Sequence, residues 1–229
     1  QRYIEDTSNV VSLDNTQVHD LSGNAGLGTS TSNNYAVDTR PATATIVVDK
    51  AVLATGETAN VTITFNEAVS GLKLENLSVG SGVLSNLKSL DGGMTWTATL
   101  TPKDHLDNAY GTLVLNGQGV TDAAGNSSAD TYAYSNYFAV DTQGPQVYIE
   151  VSDTQLKAGQ GTQVFIWFSE PVRGFDLSSL KVPNGTLSNL QSGEGGYYWT
   201  ATLTPNNNVN VSANIITVDN STIRDLAGN

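Results

Sequence analysis

The stretch Gly92-Gly93-Met94-Thr95-Trp96-Thr97-Ala98-Thr99-Leu100-Thr101-Pro102 decides the fold. It recurs 103 residues later as Gly195-Gly196-Tyr197-Tyr198-Trp199-Thr200-Ala201-Thr202-Leu203-Thr204-Pro205. Within each copy the tryptophan, alanine and leucine alternate with threonines. A period of two places one set of side chains on each face of a β-strand, here one buried and one wet. The paired glycines ahead of it are a turn signal.

Working outward, residues 38–126 align without a gap on residues 141–229, with 34 of 89 positions identical. The matches fall in blocks. Phe65-Asn66-Glu67-Ala68-Val69 matches Phe168-Ser169-Glu170-Pro171-Val172, and Leu84-Ser85-Asn86-Leu87 matches Leu187-Ser188-Asn189-Leu190. Asp122-Ala123-Ala124-Gly125-Asn126 matches Asp225-Leu226-Ala227-Gly228-Asn229, and a third copy is Asp20-Leu21-Ser22-Gly23-Asn24. A fixed period of this length marks a repeat architecture. The expected organisation is residues 1–37 as the closing strands of a preceding repeat, 38–140 as a complete repeat, and 141–229 as a repeat without its last strand.

Val61, Ile63 and Phe65 also alternate with threonines, and turn signals recur every few residues, at Thr55-Gly56, Gly80-Ser81-Gly82, Asn116-Gly117 and Gly125-Asn126. No helical stripe of useful length is present. About seven short strands in roughly 100 residues predict an all-β protein of tandem immunoglobulin-like antiparallel sandwiches. The cysteine pair of antibody domains is absent, since the chain has no Cys.

Charge and composition exclude several functions. The 229 residues carry 10 Lys+Arg against 22 Asp+Glu, a net charge of −12. Such a surface repels phosphate backbones, which argues against nucleic acid as a partner. No apolar run is long enough for a spanning helix, so no membrane insertion is expected. Without Cys there are no disulfides, thiol nucleophiles or Cys-zinc sites. Gln1 reads as the start of a mature or excised piece.

The blocks resemble the bacterial Ig-like repeats of giant surface adhesins, the biofilm-associated and type I-secreted kind. The residues that carry the resemblance are the linkers Asp38-Thr39-Arg40-Pro41 and Asp141-Thr142-Gln143-Gly144-Pro145, the Phe-x-Glu-x-Val block, the Gly-Gly-x-x-Trp-Thr-Ala-Thr-Leu-Thr-Pro block and Asp-x-x-Gly-Asn. The resemblance implies an extracellular, cell-surface rod of repeats, often rigidified by calcium, that supports adhesion or biofilm formation.

The residues themselves allow a calcium reading. In a seven-strand sandwich, the loop after the second strand, the loop after the sixth and the entering linker all meet at one pole. Those features carry Glu67, residues 122–126 and Asp38 in one repeat, and Glu170, residues 225–229 and Asp141 in the next. Calcium takes several oxygen ligands, mixing carboxylates, amides and carbonyls. The candidate ligand sets are therefore Asp38, Glu67, Asp122 and Asn126, and Asp141, Glu170, Asp225 and Asn229. Acids of the opposite pole (Asp49, Glu57, Asp104, Asp107 and Asp153) are candidate contributors from the preceding repeat. The competing reading is ordinary turn chemistry, because Asp-x-x-Gly-Asn is also a capped turn with Gly at positive φ.

Enzymatic chemistry has little support. His19 and His105 occupy non-equivalent positions, no nucleophile or phosphate-loop motif is present, and active sites are seldom copied at a fixed period. A weaker alternative is a carbohydrate-binding module, with Tyr197 and Tyr198, or Tyr132, Tyr134 and Tyr137, stacking on sugars. The expected partners are neighbouring Ig-like repeats of the same or an identical chain. Residues 1–37 carry one strand-like segment at 10–13 and another at 34–37. These could complete residues 141–229 of another copy, giving head-to-tail self-association into a filament. The other reading takes residues 1–229 as a window on a longer array.

Overall fold

The computed structural model describes residues 3–229. The larger sheet of the first repeat has the order Gly82–Ser89, Thr95–Pro102, Ala59–Phe65, Ala44–Val48, all antiparallel. Ala59, Val61, Ile63 and Phe65 point inward and are at most 2% exposed, which the two-residue period requires. The facing layer is a long hairpin broken in the middle. Ala109–Gly111 pairs with Phe138–Val140, and Val114–Asn116 pairs with Tyr132–Tyr134. At the break, Leu113 donates its N–H to Ser135 Oγ at 2.9 Å and accepts the Ser135 N–H at 2.9 Å. Leu77–Ser78 extends one side of this layer, and Val52–Leu53 joins the other in parallel. Leu53, Leu100, Leu113, Leu115, Phe138 and Val140 fill the space between the layers.

The second repeat rebuilds the larger sheet with Val147–Val151, Thr162–Phe168, Tyr198–Pro205 and Gly185–Ser192 in the same pairing scheme. Its core is Val164, Ile166, Phe168, Phe175 and Ala201, with Trp199 against it. Of the facing layer, Leu180–Lys181 pairs with Thr217–Val218. The Leu-Ser-Asn-Leu blocks acquire a physical reason here. In both repeats the strand register shifts within the block, and the asparagines, Asn86 and Asn189, sit at φ 57° and 53°. A β-bulge needs that backbone, and Asn tolerates it better than most residues.

The amino-terminal segment holds four short strands, where the sequence reading expected two. Glu5–Asn9 pairs with Tyr35–Asp38, and Ser12–Asp14 pairs with Thr29–Thr31. This is the broken hairpin of the first repeat, 102 residues earlier. The two strands missed, Glu-Asp-Thr-Ser-Asn and Thr-Ser-Thr, have no apolar alternation to reveal them. Val11, Leu13 and Leu27 on this segment are 63%, 54% and 89% exposed. Likewise the strand that leads into the Asp122 loop of the first repeat is split into Ala109–Gly111 and Val114–Asn116 by the Leu113–Ser135 exchange.

Candidate metal centre

The loop of Asp-x-x-Gly-Asn builds itself from local hydrogen bonds. Asn126 donates its backbone N–H to Asp122 Oδ1 and its side-chain NH2 to Oδ2, both at 2.9 Å. Asn229 does the same to Asp225, at 3.0 and 2.9 Å. Gly125 and Gly228 close the loops at φ 91° and 102°, a backbone that suits glycine. The third copy has the same bonds from Asn24 to Asp20, both at 2.9 Å. Turn chemistry therefore accounts for the loop in every copy, and it accounts for the loop alone.

What differs is the company the loop keeps. Two residues of the Glu67 loop pair with the start of the Asp122 loop, Val69 with Asp122 and Ser70 with Thr121. Gly71, at φ 83°, allows the close approach, because a Cβ there would lie 2.3 Å from the Gly119 carbonyl oxygen. In the second repeat Arg173 bridges to Arg224, and a Cβ on Gly174 would lie 2.3 Å from the Thr222 carbonyl oxygen. The linker closes the third side. Asn126 Nδ2 donates to the Asp38 carbonyl at 3.2 Å, and Asn229 Nδ2 to the Asp141 carbonyl at 2.9 Å.

These contacts bring Asp38, Glu67 and Asp122 into one cluster and Asp141, Glu170 and Asp225 into another, with a carboxylate oxygen of each within 4.8 Å of the others. All six predicted carboxylates are thus brought together in their expected threes. The two asparagines take a different posture, presenting NH2 donors to the acids and the linker. Asn229 Oδ1 accepts the Thr55 N–H of the preceding repeat at 2.9 Å. Asp122, Asp141, Glu170 and Asp225 are buried.

Electrostatics follow from this crowding. Burial pushes the Glu170 carboxyl up to about 7, with the charges of Asp225, Asp141 and Asp107 adding to it. Burial also raises Glu67, helped by Asp122, Asp38 and Glu5 and opposed by Arg40. Burial and the Asp225 charge raise Asp141, against the backbone N–H of Gln143. Asp122 goes the other way: burial opposes its ionisation, but the hydrogen bonds from Asn126 outweigh it and hold it below the ordinary range. A cation placed among these carboxylates would offset the charge that crowding and burial disfavour.

The opposite-pole acids divide. Asp107 faces the Glu170 cluster across a cleft of about 440 Å³, lined by Val52, Glu57 and Asp107 from one repeat and Asp141, Glu170 and Tyr197 from the next. Glu57 is neutralised by Lys50 at 2.9 Å. Asp49 and Asp153 serve local turns instead, accepting from Asn60 and Gln160 at 2.9 Å. The sequence reading missed Glu5, whose charge acts on Glu67 as that of Asp107 acts on Glu170. The signal was available: Glu5 and Asp107 are 102 residues apart, the spacing of Asp20 and Asp122.

Sequence reading also passed over the threonine that follows each linker aspartate. Thr142 Oγ1 donates to the Lys103 carbonyl at 2.7 Å and accepts the Leu106 N–H at 3.0 Å. Thr39 Oγ1 accepts the Ile4 N–H at 2.9 Å. Within each dipeptide, threonine bonds loop backbone of the segment behind and aspartate faces the repeat ahead, as alternation along an extended chain dictates. Among the proposed sugar-stacking residues, Tyr197 lines the junction cleft, while Tyr132, Tyr134 and Tyr137 are exposed.

Tandem antiparallel sandwiches, joined through a short linker that opens with Asp-Thr and enters an acidic cluster, define a bacterial immunoglobulin-like array. The family model of the bacterial Ig-like domain matches residues 38–140 and again 141–229. The chain belongs to that family. No curated protein matches it. Among solved structures it is similar to the Escherichia coli adhesin FdeC at 12% identity and a TM-score of 0.38, over 85% of this chain and 68% of that one. No helix among the described residues is long and apolar enough to cross a membrane.

Proposed function

We propose that this chain is a non-enzymatic extender of a bacterial extracellular adhesin, a rod of Ig-like repeats stiffened by Ca²⁺ at its junctions. On this reading it belongs at the cell surface and serves adhesion or biofilm formation. The observation that carries it is the twice-built triad of carboxylates drawn from linker and two loops, with Glu170 pushed up to about 7. Oxygen-only donors suit a hard divalent cation, and the open cleft side leaves room for water ligands. In this reading Asn126 and Asn229 orient the acids and tie them to the linker. A bound ion would join the linker aspartate to both loops of the repeat it enters, so each junction loses a degree of freedom.

The test is thermal unfolding and small-angle scattering of residues 1–229 in excess Ca²⁺, in Mg²⁺ and in EDTA. Ca²⁺ at a hundredfold excess over Kd stabilises the native state by about 2.7 kcal/mol, with a longer, narrower scattering profile. Identical melts and profiles in all three buffers overturn the reading.

A second reading is favoured by the exposed Val11, Leu13 and Leu27 of the amino-terminal segment and by Val211 and Ile215 of the second repeat, 52% and 74% exposed. Strands of one copy would cover the second repeat of the next, assembling a filament head to tail. Sedimentation across a hundredfold concentration range tests it: growing oligomers support it and a constant monomer removes it.

A further inference from the structure

The outer face of the second repeat's larger sheet carries a feature that the first repeat lacks. Tyr148, Trp167 and Tyr198 stand directly across from one another on three neighbouring strands. Their ring centroids are 5.6 Å apart in each step, at interplanar angles of 32° and 38°. Phe165 joins the group, 5.7 Å from Trp167 and 6.1 Å from Tyr198. The equivalent residues of the first repeat are Thr45, Thr64, Thr95 and Thr62. Four threonines in one copy have become one continuous aromatic strip in the other. The strip contributes nothing to the core, which is filled from the opposite face by Val164, Ile166 and Ala201. Tyr148 is 63% exposed.

The surroundings narrow what this strip fits. The flanking positions of the same face are Gln163, Thr200, Thr202 and Gln191, all hydrogen-bonding side chains. Glu150 lies across from Phe165 and is the sole charged residue in the four strands of the sheet. A chain of net charge −12 disfavours anionic partners. Aromatic faces attract C–H groups and, more strongly, cations, with Trp the best of them. The ring spacing is about the length of one pyranose residue.

We propose that this face binds a glycan of amino-sugar pyranoses, whose rings stack along Tyr148, Trp167, Phe165 and Tyr198 and whose ammonium groups meet Glu150. The site is independent of the junction acids and gives one repeat of the rod a binding role of its own.

The experiment is calorimetric titration of the whole chain with a glucosamine hexamer, with its fully N-acetylated counterpart and with a sulfated glycan of the same length. The expected result is binding of the glucosamine hexamer, at least tenfold weaker binding of the acetylated one, and none of the sulfated one. Trp167→Thr installs the residue the first repeat uses at this position, so the sheet should fold as before, with an unchanged melt as the check. It weakens binding at least tenfold, and Tyr148→Thr does so to a lesser degree. Glu150→Gln removes most of the preference over the acetylated hexamer and its salt dependence. Three results overturn the proposal: no binding at millimolar hexamer, equal binding by wild type and Trp167→Thr, or loss on Trp167→Thr of self-association in place of glycan binding. The last would make the strip an interface between copies.

Discussion

Replacing Glu170 by Gln should stabilise the second repeat without metal and destabilise it with Ca²⁺. The shape of the side chain is kept and only the charge is removed. Glu170 is 9% exposed and shares its site with Asp141 and Asp225. Burial is the main cost of its charge, and the neighbouring carboxylate oxygens, within 4.8 Å, add repulsion to it. Repulsion and burial together move the carboxyl from 4.5 to about 7. At ~1.4 kcal/mol per pH unit that displacement is worth about 3.5 kcal/mol. The sign follows from proton linkage. Between pH 4.5 and 7 the folded chain holds this proton more tightly than the unfolded chain, so raising the pH costs native stability. The full cost stands above pH 7 and vanishes below 4.5. Asp176 and Asp219, held low by their hydrogen bonds to serines, lose their contribution only below the ordinary aspartate range, outside that window. In EDTA at pH 8, Glu170→Gln should therefore melt about 14–28 °C higher for the second repeat, at ~4–8 °C per kcal/mol. The advantage shrinks to nothing by pH 4.5. In excess Ca²⁺ the variant has lost a ligand and should fall below wild type. Calorimetric melts across pH 4–8, with and without Ca²⁺, read all of this. An equal displacement in both buffers, or one that ignores pH, would refute the argument that these carboxylates await a cation.

Thr142→Val keeps the shape of the side chain but orphans the Lys103 carbonyl and the Leu106 N–H; it should cost about 1–3 kcal/mol and broaden the scattering profile, since two of the bonds that tie the linker to the preceding repeat are gone. Gly174→Ala places a Cβ 2.3 Å from the Thr222 carbonyl oxygen at φ 76°. It should lower the melt of the second repeat by at least the ~1–2 kcal/mol of a left-handed residue and weaken Ca²⁺ binding by prising the Glu170 loop from the Asp225 loop. Asp20→Asn breaks the same turn where no acidic partners gather, so Ca²⁺ titration should return the wild-type stoichiometry.

The larger sheet of each repeat was legible because its strands alternate without interruption, and one buried face leaves a single register. The acidic clusters were legible because three recurring blocks carry them and sandwich topology sends all three to one pole. The four strands of residues 5–38 were only half legible, because a strand such as Glu5–Asn9 that packs on nothing needs no apolar period. The posture of the asparagines was not legible for a related reason. Residue type says that an amide can offer either oxygen or NH2, while the choice is made by the neighbours, here the carboxylates of Asp122 and Asp225 and the linker carbonyls. The aromatic strip was invisible as a unit because its members lie on three strands. Its position-by-position origin, four threonines exchanged for aromatics, becomes visible only once the register is known.

The two junctions are alike in design and unequal in charge, so on the proposed calcium reading they should fill in steps. At the first, Arg40 lies 3.7 Å from Glu5 and opposes the upward push on Glu67. At the second, Gln143 occupies the equivalent position and supplies only a backbone N–H, at 3.4 Å from Asp141. Among the described residues no cationic side chain opposes the upward push on Glu170 or Asp141, so a divalent ion bound there would relieve more repulsion at the second junction than at the first. Ca²⁺ should therefore fill the Asp141 cluster before the Asp38 cluster, and the gap should close when Arg40 is replaced by Gln. If both clusters filled at the same concentration in wild type, local charge would not be setting affinity, and the difference between Arg40 and Gln143 would be incidental to how the linkers are held.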